Sequence, residues 1–152
     1  MVSVAGKDIV YRFFDLINAG HDAAAAALVT ADYINHEAPD HGGIEGAGAT
    51  IASLRSCFSD MHYMIMEVVA EGDHAWAHVV MSGRFTGGLY GVRPTGQPFA
   101  QHQIHMFRLA GGKMAEHRAV RDDLGMLIQV GAIAPLAGND GAKASPAQTI
   151  RT

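Results

Sequence analysis

Residues 101–129 read QHQIHMFRLAGGKMAEHRAVRDDLGMLIQ, and this stretch decides the fold. Gly111-Gly112 lies between two runs that alternate apolar and polar residues, the pattern of a hairpin with a two-residue turn. The expected order is strand, turn, strand, short helix. With a simple two-residue turn, Arg108 faces Ala115, His105 faces Arg118, Gln103 faces Val120 and Gln101 faces Asp122. Side chains alternate faces along a strand. One face of the hairpin then carries Gln101, Gln103, His105, Phe107 and Leu109, with Met114, Glu116, Arg118, Val120 and Asp122. It is apolar near the turn and polar at its far end, where an amide, an imidazole, a guanidinium and a carboxylate converge. That gradient fits the floor of a half-open pocket; a solvated sheet face has a similar pattern.

Upstream of the hairpin the periodicity changes. Ser3 is placed to cap a helix reaching about Ala19, with Ile9, Val10, Phe13, Phe14 and Ile17 at helical spacing and Gly20 as its stop. Asp22 is placed to cap a short alanine-rich helix over 23–29. Residues 33–36 are extended, Pro39 and the glycines after it form a loop, and a third helix spans about 47–58. Beyond Asp60 the chain is β-rich. Two strands, 62–70 and 74–86, are joined by a turn at Glu71-Gly72-Asp73, and 87–97 is a connection. Helices first and antiparallel strands second predict an α+β fold, with N-terminal helices on one face of a curved, mainly antiparallel four-stranded sheet. Residues 1–131 read as one domain, and 132–152, rich in Ala, Gly, Pro and Ser, as a mobile tail.

Composition narrows the function classes. Hydrophobic residues make up 49% of the 152 and charged ones 17%, which is a globular balance. A net charge of -4 with no basic cluster argues against nucleic acid as a partner. With Cys57 as the single cysteine there is no internal disulfide, and a reducing cytoplasmic setting is expected. There is no signal-peptide pattern and no apolar span long enough for a membrane. No nucleotide-binding fingerprint follows a strand, so no nucleotide cofactor is expected. The nine histidines show no zinc spacing, and His102 and His105 point to opposite faces. His78, His105 and Asp122 are the one set that spells two histidines and a carboxylate; the expectation is no metal and no cofactor. Trp76 and the methionines read as core or cavity lining. The sheet face with Ile104, Met106 and Ala119 is too apolar to stay wet, which predicts a homodimer joined through it.

In the order and spacing of these pieces the chain resembles the SnoaL-like polyketide cyclases, within the nuclear-transport-factor-like α+β barrel superfamily. The resemblance covers about residues 7–131. It rests on Asp32-Tyr33-Ile34-Asn35, Gly46, Glu71-Gly72-Asp73, Pro94-Thr95-Gly96, Gln103-Ile104-His105, the Gly112-Lys113 turn, His117-Arg118 and Asp122. It implies a cone-shaped barrel whose internal cavity takes a flat, multi-ring substrate. It puts the family's acid/base aspartate at Asp122, its glutamine and histidine at Gln103 and His105, and its asparagine at Asn35. Two positions depart from the pattern. Phe85 stands where many members have His, which makes the cavity more apolar, and Arg118 stands where many have Trp. The implied function is cofactor-free intramolecular aldol cyclisation of an anthracycline-type polyketide ketone. Hydroxylation of the same class of intermediate, with a reductase partner, is the alternative on this scaffold. A non-catalytic small-molecule-binding module is the alternative from another class.

The site residues carry two readings each. Asp122 is either the N-cap of the last helix or, with Asp123 capping instead, a carboxylate whose pKa is raised by an apolar pocket and which moves the proton of an aldol step. His105 is either a hydrogen-bonded core histidine or a donor to an enolate oxygen. Gln103 orients the substrate or the histidine. Asn35 is a turn residue or a donor to a substrate carbonyl. Arg118 pairs with Glu116 or stabilises an enolate.

Overall fold

The computed structural model describes residues 4–135. Ser3 and the tail residues 136–152, on which a helix cap and mobility were expected, lie outside the described residues.

Helix α1 (Val4–Asn18) buries Val10, Phe14 and Ile17 on the stripe marked by their spacing. Helix α2 (Asp22–Ala26) is shorter than 23–29, because from Val29 the chain is already a strand, β1 (Val29–Asn35). Asp22 does not cap α2. Its carboxylate accepts two N–H groups of Arg55, at 2.5 and 2.7 Å, and Arg55 also donates to the Ile17 carbonyl at 2.6 Å. This fork ties the end of α1 and the start of α2 to α3 (Gly43–Cys57). Next come β2 (Phe58–Glu71), β3 (His74–Phe85), β4 (Pro98–Ala110), β5 (Lys113–Arg121) and α4 (Asp123–Gln129).

The sheet has five strands, not four, in the order β1-β5-β4-β3-β2. Strands β2 to β5 are antiparallel neighbours, and β1 adds to β5 in parallel. The β1 sequence alternates weakly, with Val29, Tyr33 and Asn35 buried but the apolar Ala31 and Ile34 exposed between them, so only its end looked extended. Helices α1 and α3 cover the inner sheet face over a core that includes Phe14, Phe107, Met114 and Val29. Each such side chain contributes about 1.5–3 kcal/mol by leaving water. The outer face exposes Val69, Trp76, Ile104 and Val120. Trp76 is 47% exposed there, so it lines neither core nor cavity.

The hairpin turn forms as its glycines require. Gly111 and Gly112 have φ of +57° and +74°, the two positive values of a type I′ turn. Ala110 pairs with Lys113 and Leu109 with Met114, as expected. The next pair is Arg108 with Glu116, which leaves Ala115 as an extra residue in β5. Beyond this bulge His105 pairs with Ala119 and Gln103 with Arg121. A one-residue slip turns every later side chain to the other face. The inner face of β4 is therefore the one read from the sequence, while that of β5 carries His117, Ala119 and Arg121. Glu116, Arg118 and Val120 face out.

One close approach completes the frame. A Cβ on Gly46 would lie 2.1 Å from the His41 carbonyl carbon, so only glycine lets the loop after β1 lie flat on α3. That contact brings His41 and Asn35 to Thr50.

Candidate active site

A cavity of about 60 Å³ opens between α1, α3 and the inner faces of β1, β4 and β5. Its wall is mostly apolar, with Phe13, Phe14, Ile17, Leu54 and Phe107. Its polar members are Tyr33, Asn35, Thr50, Tyr63, His105 and His117. At about 10–15 Å³ per water-sized group, this volume holds roughly four to six such groups.

Tyr33 and Tyr63 are 7% and 5% exposed, and neither phenol oxygen has a hydrogen-bond partner among the described residues. Burial pushes the Tyr63 hydroxyl up to about 12 and raises that of Tyr33 as well, so both remain O–H donors. The Tyr63 ring stands edge-on to His105, with centroids 6.2 Å apart.

His105 belongs to a continuous run of polar groups. Asp123 Oδ1 accepts from Gln101 Nε2 at 2.7 Å, and Gln101 Oε1 accepts from Gln103 Nε2 at 2.6 Å. Gln103 Oε1 lies 2.7 Å from His105 Nε2, and His105 Nδ1 lies 2.9 Å from His117 Nε2. His117 Nδ1 is 3.3 Å from Asn35 Oδ1, and Asn35 Nδ2 donates to Thr50 Oγ1 at 3.3 Å. The two imidazoles stack at 5.1 Å, and Phe107 stacks on both. Burial, then the other imidazole, then the Arg121 guanidinium hold His105 well below the usual histidine range. Burial, Arg121 and His36 bring His117 down to about 4. Both rings are neutral bases at neutral pH. The Arg121 guanidinium lies 3.7 Å from Glu37 and 3.7 Å from Asp123.

Of the residues expected from the sequence, His105, Gln103 and Asn35 are buried and meet in this run. Asp122 does not join them. It is exposed, and its carboxylate accepts the Gly125 N–H at 2.9 Å as the N-cap of α4. The two adjacent aspartates thus divide the work the other way round, with Asp122 capping and Asp123 turned to Gln101. The bulge at Ala115 is the cause, since it shifts which of the two continues the inner face of β5. Arg118 is also displaced: it is on the outer face, 3.7 Å from Glu116, and does not reach the cavity. Phe85 is wholly buried against Phe58, with ring centroids 6.1 Å apart, and is absent from the cavity wall. His78 lies on the outer face, 3.0 Å from His102, so His78, His105 and Asp122 do not converge. Among the described residues no three His, Cys, Asp or Glu side chains are grouped to hold a metal ion.

His117 and Tyr63 were missed. The signal for His117 was present in Met114-Ala115, two adjacent apolar residues that are both buried and break the alternation where the bulge falls. Tyr63 alternates with Met61 as buried positions of β2, although bulges interrupt that strand on either side.

Comparison with known proteins agrees with this architecture. The SnoaL-like polyketide cyclase family matches residues 7–130. The aklanonic acid methyl ester cyclase DnrD of Streptomyces peucetius is 32% identical over 129 residues, covering 82% of this chain and 89% of its own. The nogalonic acid methyl ester cyclase of Streptomyces nogalater is 31% identical, covering 75% and 88%. The structure of TsrD from Streptomyces laurentii superposes with a TM-score of 0.79 at 28% identity, over 88% of this chain and 99% of that one. With a family match over most of its length and relatives of this similarity, the chain belongs to the SnoaL-like polyketide cyclases.

Proposed function

We propose that this protein closes a ring in a polycyclic polyketide ketone by an intramolecular aldol reaction, without a cofactor. The observation that carries the reading is the cavity, where two buried phenols without hydrogen-bond partners among the described residues and a neutral imidazole pair line one small space. Those are the two functions enolisation needs. An imidazole takes the proton from the carbon beside a carbonyl. A phenol O–H donates to the carbonyl oxygen as it becomes an enolate. The enolate carbon then bonds to a second carbonyl carbon, and the resulting alkoxide takes up a proton, so the mass is unchanged. In this reading the proton-transfer role expected of Asp122 falls to the His105–His117 pair. Gln103 holds His105, and Asn35 sets the polar edge of the cavity.

The relatives are named for the methyl esters of aklanonic and nogalonic acid, which supports a methyl ester of this class as the substrate. At about 60 Å³ the cavity is too small for the whole of such a molecule and takes one arm of it.

The test is incubation with aklanonic acid methyl ester. The expected product has the substrate's mass, one ketone signal fewer and a new ring. A gain of one oxygen would assign hydroxylation instead. Tight binding with no turnover would assign a binding module, and a rate unaffected by His105→Ala would remove the imidazole pair from the chemistry.

A further inference from the structure

We infer that His117 Nδ1 is the atom that takes the substrate proton, and that the hydrogen-bonded run from Asp123 fixes its lone pair on the cavity side. The assignment of a substrate rests on the ring-closing reading above; the proton arrangement does not.

The run is directional, and its direction follows from its ends. A carboxylate can only accept, so Gln101 turns its NH₂ to Asp123, at 2.7 Å. Gln101 Oε1 then faces Gln103 and receives its N–H at 2.6 Å. Gln103 Oε1 is left facing His105 Nε2 at 2.7 Å, so that nitrogen carries a proton. A neutral imidazole has one N–H. His105 Nδ1 is therefore bare and accepts from His117 Nε2 at 2.9 Å. By the same count His117 Nδ1 is bare.

The far end is fixed independently. The Glu37 backbone N–H donates to Asn35 Oδ1 at 3.1 Å. Asn35 Nδ2 donates to Thr50 Oγ1, whose own proton goes to the Gly46 carbonyl at 3.0 Å. Asn35 thus presents an acceptor oxygen to the bare His117 Nδ1, at 3.3 Å. Two acceptors oppose each other, and this is the longest polar contact that either ring makes. The other neutral arrangement, with the proton on Nδ1, would set two bare nitrogens opposite each other at 2.9 Å, which is worse.

A proton delivered to Nδ1 turns the mismatch into a hydrogen bond to Asn35 and completes the run with no group rotated. His117 and Asn35 both line the cavity, so that proton can come from a carbon bound there. The C–H bond breaks, its electron pair passes to the enolate oxygen, and the proton sits between Nδ1 and Asn35 Oδ1. The new positive charge is then hydrogen-bonded, through His105 and two amides, to the Asp123 carboxylate. Asp123 acts as a positioning residue. Burial and the Arg121 charge keep the ring neutral between turnovers, which keeps the acceptor free.

Nitrogen-15 NMR of histidine-labelled protein tests this without substrate, with His117→Gln to assign the signals. At neutral pH the expected pattern for His117 is bare Nδ1 and protonated Nε2, with the same tautomer at His105. Lowering the pH should place the next proton on His117 Nδ1. A protonated Nδ1 with a bare Nε2 in the neutral protein would overturn the assignment. In Asp123→Asn the terminal amide can donate or accept, so both His117 tautomers should appear while circular dichroism stays native. A single unchanged tautomer would show that Asp123 does not set the direction. The expected tautomer together with no conversion of aklanonic acid methyl ester would sink the ring-closing reading and leave the proton arrangement standing.

Discussion

Replacing Asp122 and Asp123 in turn with alanine separates helix capping from site alignment at adjacent positions. Asp122 makes one hydrogen bond, from the Gly125 N–H at 2.9 Å, and is exposed. Losing an N-cap of this kind costs about 1 kcal/mol. For a chain of this length that lowers the melting temperature by about 3 °C. Turnover should not change, because nothing in the cavity depends on that carboxylate. Asp123→Ala removes the acceptor of the 2.7 Å bond from Gln101 and the 3.4 Å contact from the Tyr90 hydroxyl. Hydrogen bonds to a charged group contribute about 1.5–3 kcal/mol. If that alignment acts in the transition state, kcat falls by roughly 10- to 150-fold, with little change in KM. The assay is steady-state conversion of aklanonic acid methyl ester followed by chromatography, with a melting curve for each variant. Loss of turnover in Asp122→Ala, with turnover kept in Asp123→Ala, would refute the reasoning. It would return the proton transfer to the helix-capping carboxylate.

Tyr63→Phe removes a cavity donor and little else, so kcat should drop by about 10²–10³; an unchanged kcat would end the oxyanion role of that phenol. Both inner histidines stay neutral in the folded protein and protonate in the unfolded chain, so below pH 6.5 the unfolded state binds more protons and stability declines towards pH 4. For His117 alone the full effect is about 3 kcal/mol; the melting temperature should fall across that window, less steeply in His117→Gln, and a flat profile would contradict the assignment. The exposed Val69, Trp76, Ile104 and Val120 of the outer sheet face lead us to propose a homodimer joined there. Sedimentation should show Trp76→Glu as a monomer, and a wild-type monomer at micromolar concentration would remove the proposal. Turnover should survive exhaustive chelation, since His105 and His117 are engaged with each other; a loss reversed by one added metal would overturn the cofactor-free mechanism.

The glycine pair, the inward face of β4 and the apolar stripe of α1 were legible because each is set by local rules: turn stereochemistry, period two and period 3.6. His105, Gln103 and Asn35 followed from them and from family likeness. What the sequence did not show depends on longer range. Strand β1 gains its hydrogen bonds from β5, more than 75 residues later, and its own alternation is weak. The inward face of β5 depends on Ala115, whose methyl group fits either side of a sheet, so a simple turn gave the wrong register beyond it. Asp122, Arg118 and His117 were all exchanged by that one residue. Trp76 looked like core because it is large and apolar, but its neighbours Ala75 and Ala77 are the buried ones on β3.

The bulge also bears on how such an interior can be altered. Substitution changes a pocket one side chain at a time, each step having to leave a folded protein. Here the bulge in β5 is itself a determinant of what the pocket contains. Deleting Ala115 would restore a regular ladder and leave His117, Ala119 and Arg121 facing in, whereas flattening the bulge with Ala115 retained would pair it with Arg108 and turn Glu116, Arg118 and Val120 inward instead. The same residues in the same order thus offer two linings, an imidazole one with the bulge and an ion-paired one without it. Strand register, as much as residue identity, is where a barrel of this kind can acquire a different chemistry.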